Sequence, residues 1–382
     1  MSRSRQPDWD PRSDAVLADP LHAYDEMRQR CPVAFNEPHG WSLFRHADVL
    51  RVLEDHATFS NVVSKHHSVP NGMDPPEHTH YRRAIEPFFN AERMRLFEPF
   101  CREIARSLSD TMPPLGTVDL MQTFALPFSV GCQCAFLGWP STLAEPLLTW
   151  MRDHQAAAAA SDRAALTLLA AQFKTYVQAE LQARRVPSAA ADVTSELMHT
   201  EVYGAPLSED DLTSILRNWT VGEIGSLAAS IGIVASQLAH DEALQQRLKA
   251  SPAHLAALID ELLRIEGPLL SNRRRATRDV TIGGRTIAEG DMVTLMWVSA
   301  NRDEHVFEHP AEVRLDREPN TNLLYGAGIH VCPGAPLARL ELRVAFEELL
   351  RGSRRLLNTD VPALRAVPPA TGWARLPLKV VE

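Results

Sequence analysis

Hydrophobic positions recur at steps of three and four along most of the chain. Met94, Phe97, Cys101, Ile104 and Leu108 fall on one face of a helix at that spacing. The alanine run from Ala156 to Ala160 also reads as helix, because alanine is the best helix former. Ser208 and Asp211 are spaced as a capping box, and a long apolar segment follows from Leu212 to Leu238. Together they predict a central helix over about 209–240. A helix that is apolar nearly all round belongs in a core. Its glycines, Gly222, Gly225 and Gly232, each cost roughly 1 kcal/mol against alanine, so close packing against the backbone is expected there.

Strand signals are local. Val280–Ile287 is two short β-prone runs around Gly283-Gly284, a hairpin signature, and Met292–Val298 is a further candidate strand. A last helix is expected over Pro336–Leu350. The pattern is mainly α with a small β region.

The chain has 382 residues, 45% of them hydrophobic, enough for a sizeable core. Its net charge is -9, against generic nucleic-acid binding and a polybasic membrane anchor. The N-terminal Met1–Asp14 has no apolar stretch after its arginines, and no run approaches the roughly 20 apolar residues of a membrane span. A cytoplasmic protein, with no membrane and no nucleic-acid partner, is expected. Cys31, Cys101, Cys132, Cys134 and Cys332 are too scattered for a disulfide framework.

The densest motif is Tyr325-Gly-Ala-Gly-Ile-His-Val-Cys-Pro-Gly334. Gly326, Gly328 and Gly334 let backbone approach a flat object or turn left-handed. Cys332 sits just before the last helix, whose N-terminus favours a thiolate. Pro333 has no N–H, so one donor to that sulfur is absent.

This loop resembles the haem-binding loop of cytochromes P450, with Tyr325 in place of the usual phenylalanine. The resemblance implies the cytochrome P450 fold of a soluble bacterial type, with residues 1–382 as a single haem-binding domain and heme b (iron protoporphyrin IX) as cofactor. It implies that Cys332 ligates the haem iron and that His330 contacts a propionate. His78 and Arg82, four apart on one helix face, resemble the pair that clamps the other propionate. Arg274, in Arg274-Arg-Ala-Thr277, matches a further propionate contact. Glu261-Leu-Leu-Arg264 resembles the family's Glu-x-x-Arg motif, with Arg317 as its third, structural member.

The central helix departs from the family pattern of an acid followed by an alcohol, groups that relay protons there. Anchored on His240-Asp241, the segment Val221-Gly-Glu-Ile-Gly-Ser226 puts Ile224 at the acid and Gly225 at the alcohol. Glu223 and Ser226 are the nearest proton-carrying groups, so Glu223, Gly225 and Ser226 are the candidate distal residues. Three explanations compete: helix distortion lets Glu223 or Ser226 relay, the substrate or water supplies the proton, or ordinary dioxygen activation is not used.

The resemblance implies a haem–thiolate monooxygenase that hydroxylates, or otherwise oxidises, a small organic secondary metabolite or xenobiotic. Electrons would come from a separate ferredoxin-type donor docking near the cysteine loop, with Arg339 and Arg343 as candidate contacts. The alternatives are a peroxide-using enzyme, a partner-recruiting haem module, or a thiolate–haem sensor. Pocket positions implied by resemblance are Val62, Val63, Val221, Gly225, Leu269, Leu270 and Trp373, a largely apolar set.

Overall fold

The computed structural model describes residues 6–113, 116–186, 192–368 and 370–381. Residues 1–5 of the N-terminal segment discussed above lie outside them. The chain forms two compact units, each gathered from separate stretches.

The first unit takes in the segment ending at His67, Asn71–His78 and Asp260–Cys332. Its five-stranded sheet has the order Val33–Asn36, Gly40–Leu43, Met292–Met296, Ser271–Ala276, Phe59–Ser60. Gly40–Leu43 runs antiparallel to Val33–Asn36 and parallel to Met292–Met296. Gly40 is left-handed (φ +68°), and a Cβ there would lie 2.2 Å from the Met292 carbonyl oxygen, so only glycine fits. Trp41, Leu43, Val49, Val52, Phe59, Val293 and Leu295 form one apolar core. Each such side chain contributes about 1.5–3 kcal/mol on burial. The hairpin forms as Val280–Ile282 paired with Arg285–Ile287, and both turn glycines have positive φ.

The strand expected over Met292–Val298 ends at Met296, and Trp297–Ala300 is a helical turn. Tertiary contacts outweigh the β-propensity of Trp297 and Val298 here. The Trp297 N–H donates to the Leu270 carbonyl, its ring N–H donates to Asn272 Oδ1, and Val298 and Ala300 are buried.

The second unit is mostly helical: Ser68–Pro70, Thr79–Ile259 and the chain from Pro333 onward. Its central helix spans Glu209–His240. At its start the Asp211 N–H donates to Ser208 Oγ (3.1 Å) and the Ser208 N–H donates to Asp211 Oδ2 (3.3 Å), completing the capping box. By length and hydropathy this helix would pass as a membrane span, contrary to the expectation of no such run. Two-thirds of its apolar window (67%) is instead buried inside the protein. Around it lie Ala91–Asp110, Leu126–Leu137, Ala144–Ala159 and Ala335–Leu349. The Met94–Leu108 stripe lies on Ala91–Asp110, with Met94, Phe97 and Cys101 buried.

The three glycines of the central helix differ. A Cβ at Gly232 would lie 2.7 Å from Met121 Sδ, so close packing requires glycine there. At Gly225 the nearest atom, Met151 Cε, is at an ordinary 3.5 Å. Gly222 is exposed and nothing lies within 4 Å of its Cβ position, which corrects the expectation of close packing by the chain itself. An open flank in the middle of a buried helix leaves room for a group the chain does not supply.

Candidate haem–thiolate site

The Tyr325–Cys332 loop is closed by the Cys332 N–H, which donates to the Tyr325 carbonyl (2.8 Å), and by the Val331 N–H donating to Gly328 (3.2 Å). Gly326 and Gly328 both have positive φ, and a Cβ on Gly328 would lie 2.3 Å from the Leu53 carbonyl oxygen. The glycine therefore lets the loop pack down on the end of helix His46–Glu54. Of the five cysteines, only Cys332 is exposed. A thiol presented on a rigid loop is available to a metal; the others are buried or half-buried.

In the same unit the His78 and His330 rings meet, with centroids 4.1 Å apart and planes tilted 50°. His78 sits in the first turn of Glu77–Ile85 and is buried. Strand alternation carries Arg274 and Ala276 to the buried face of Ser271–Ala276, while Arg273 is exposed. Arg274 is 6% exposed. Its Nη1 donates to the Arg273 carbonyl, and among the described residues no carboxylate pairs with it. Burial lowers its pKa to about 10, only partly opposed by Asp74. Asp74 is itself held by the Ser60 hydroxyl (2.5 Å) and the Asn61 N–H (2.9 Å). A buried guanidinium without a counter-ion, in the same unit as two facing histidines, suits an anionic ligand. Arg82, one turn beyond His78, instead donates to Glu86 (2.9 Å).

Glu261, Arg264 and Arg317 come together. Arg264 donates twice to Glu261 (2.7 and 2.9 Å), and Arg317 Nε donates to Glu261 Oε1 (2.9 Å). The two guanidinium groups also donate to the carbonyls of Asn301, Pro310, Glu308 and His309. This satisfies a buried charge network and fixes the chain ahead of the cysteine loop.

On the central helix Ile224 is 0% exposed, in the core. The half-buried Ser226 donates its hydroxyl to the Gly222 carbonyl (2.5 Å). Gly225 faces Met151 and Gln155 on Ala144–Ala159. Glu223 turns its enclosed Oε1 toward Glu341 on Ala335–Leu349, and burial raises its pKa although the hydrogen bond with Glu341 opposes the rise. Glu341 and the nearby Cys101 and Cys132 escaped the sequence reading. The available signal was an acid within the apolar stripe Leu337, Leu340, Val344.

The pocket candidates divide between the units. Val62 and Leu269 are each 48% exposed. The carbonyls of Val62 and Val63 accept from Arg275. Leu270 packs on the cluster of Trp9, Tyr24, Phe44 and Met296, so it is core on that side. Val221 is half-buried, and Trp373 lies beside Gly232 with the Arg365 guanidinium 3.9 Å over its ring.

An exposed thiol on a glycine-shaped loop and a buried cation awaiting an anion are the attributes of a haem–thiolate protein. The pattern of cytochrome P450 matches residues 233–362. The putative cytochrome P450 YjiB of Bacillus subtilis is 31% identical, over 87% of this chain and 86% of its own length. The structure of the Bacillus subtilis bacillaene polyketide synthase cytochrome P450 PksS has a TM-score of 0.88 at 26% identity, covering 98% of this chain and 100% of that one. That of a P450 EryK mutant in complex with erythromycin B has a TM-score of 0.86 at 28% identity, covering 96% and 97%. The chain belongs to the cytochrome P450 family. It is a monooxygenase whose cofactor is heme b.

Proposed function

We propose that residues 1–382 act as one haem domain that oxidises a small, largely apolar molecule of secondary metabolism, with electrons from a separate ferredoxin-type donor. A hydroxylation or a related single-oxygen insertion fits best. The observation that carries this reading is Cys332, the one exposed cysteine, set on a loop in the same unit as the uncompensated Arg274. Cys332 would hold the iron, and Arg274, His330, His78 and Arg82 would hold the propionates; for Arg82 this requires exchanging its bond with Glu86.

When bound, a thiolate-ligated haem supplies oxygen activation, because the sulfur pushes electron density that favours O–O cleavage. The chain's own groups do the rest. Ser226, beside the open flank at Gly222, holds a hydroxyl proton at the distal helix. Its bond to Gly222 occupies a backbone acceptor and orients the oxygen. Val221 and Trp373 supply apolar surface that excludes water. EryK, solved with erythromycin B, supports a small-molecule substrate. For the donor, Arg339 is exposed, whereas Arg343 is engaged by Glu98 (2.7 Å) and Glu347 (2.9 Å), so Arg339 is the better contact. A cytoplasmic location fits these relatives.

The test is a ligand screen read through the haem spin state, followed by turnover of the hits with a surrogate ferredoxin and reductase, or with peroxide. Product formed with the ferredoxin pair supports the reading. Product formed only with peroxide supports the peroxide-using alternative. No product with either leaves a binding module.

A further inference from the structure

Two acidic side chains meet inside the helical unit without a base to neutralise them. Glu341 is 0% exposed. Among the described residues no N–H or hydroxyl donates to either of its carboxyl oxygens or to Glu223 Oε1. The other titratable groups facing them are Cys132 on Leu126–Leu137 and Cys101 on Ala91–Asp110, with sulfurs 3.9 Å apart. Both sulfurs lie within 4.8 Å of a Glu341 oxygen and of each other. Every one of these groups gains negative charge when it ionises. Two adjacent carboxylates cannot both stay ionised in such a place, so at least one proton must stay with the pair.

The environment says which carboxyl keeps it. Burial, then the charge on Glu223 and the hydrogen bond with Glu223, raise the Glu341 pKa well above the ordinary carboxyl value. Burial raises Glu223, but the bond from Glu341 works in the opposite direction and favours its charged form. Burial and the neighbouring acids likewise hold Cys132 as a neutral thiol. Glu223 also stands three residues before Ser226 on the same helix, and Ser226 donates to the carbonyl of Gly222, next to Glu223.

We propose that Glu341 remains protonated and donates a hydrogen bond to Glu223, and that Glu223 is the carboxyl that takes protons from solvent and passes them toward the Ser226 hydroxyl. This rests on the monooxygenase reading and supplies its proton source. The balance is one proton per cycle: Glu223 gains one, gives one up, and returns to a carboxylate stabilised by the proton that Glu341 retains. Glu341 is a positioning residue, since it acts only through Glu223.

Infrared spectroscopy of the holoprotein tests the pair without turnover. The carbonyl stretch of a protonated carboxyl should persist at neutral pH, remain in Glu223→Gln and disappear in Glu341→Gln. In turnover, Glu223→Gln should lower the fraction of electrons reaching product by about tenfold or more, with ligand binding unchanged. Glu341→Gln should be nearly silent, because its amide donates as the protonated acid does. Glu341→Leu, which cannot donate, should move the pH profile of that fraction upward. The proposal is overturned by a missing neutral-pH carboxyl band, by full coupling in Glu223→Gln, or by a metal ion bound stoichiometrically at Cys101, Cys132 and Glu341. If the band behaves as stated but no substrate turns over with any donor, the monooxygenase reading fails and the shared proton stands.

Discussion

Arg264 and Arg317 grip one carboxylate: Glu261 accepts from Arg264 at 2.7 and 2.9 Å and from Arg317 at 2.9 Å. Arg264 is 1% exposed and Glu261 6%, so the network is dry. Removing one partner leaves uncompensated buried charge. Glu261→Leu should therefore cost about 3–5 kcal/mol in denaturant unfolding. Because the same arginines hold the backbone ahead of the cysteine loop, haem content should fall with it.

Arg274 gives a prediction whose sign depends on the cofactor. Its guanidinium is buried without a carboxylate. In haem-free protein, Arg274→Met should be neutral or stabilising, since a desolvated cation is removed. In holoprotein the same change should weaken haem retention at least tenfold, measured as transfer to apomyoglobin. Equal effects on both forms would mean that Arg274 binds no propionate.

His39 sets a pH dependence. Burial, aided by Arg273 and Arg12, lowers its pKa to about 4 from 6.5. Between those values the unfolded chain binds more protons than the folded one, so stability rises with pH there and is lost on acidification through the same window. The loss is at most about 2 kcal/mol after allowance for partial exposure. His39→Gln should flatten denaturant midpoints between those two pH values.

Gly222→Ala separates the helix from the space beside it. The added methyl meets nothing within 4 Å. Haem-free protein should gain up to about 1 kcal/mol in stability from helix propensity. If the open flank accommodates haem or substrate, ligand-induced spin shifts should weaken in the same variant. Unchanged shifts would place the ligand elsewhere.

These contrasts mark what local sequence carries and what it does not. The ends of the central helix were legible because Ser208 and Asp211 cap it through groups three residues apart. The cysteine loop was legible because its glycines, histidine and cysteine are contiguous. The end of the strand at Met296 was not, since the acceptor for the Trp297 N–H is Leu270, supplied by another segment. Nor was the difference between Gly222 and Gly232, which depends on whether Met121 stands opposite. Glu223 and Glu341 lie on separate helices, and no spacing rule links them.

Pro333 tunes the sulfur. Lacking an N–H, it offers no hydrogen bond to Cys332. Pro333→Leu restores a donor, withdraws electron density and should raise the iron reduction potential. Identical potentials, measured by spectroelectrochemistry, would exclude that effect.

The central claim is that the Cys332 sulfur binds haem iron as a thiolate. The most direct measurement is the absorption spectrum of reduced, carbon monoxide-treated holoprotein, wild type against Cys332→Ser. A strongly red-shifted Soret band in the wild type, lost in the serine variant, is the expected result. Folded protein that takes up no haem, or a serine variant that keeps the same band, would contradict it.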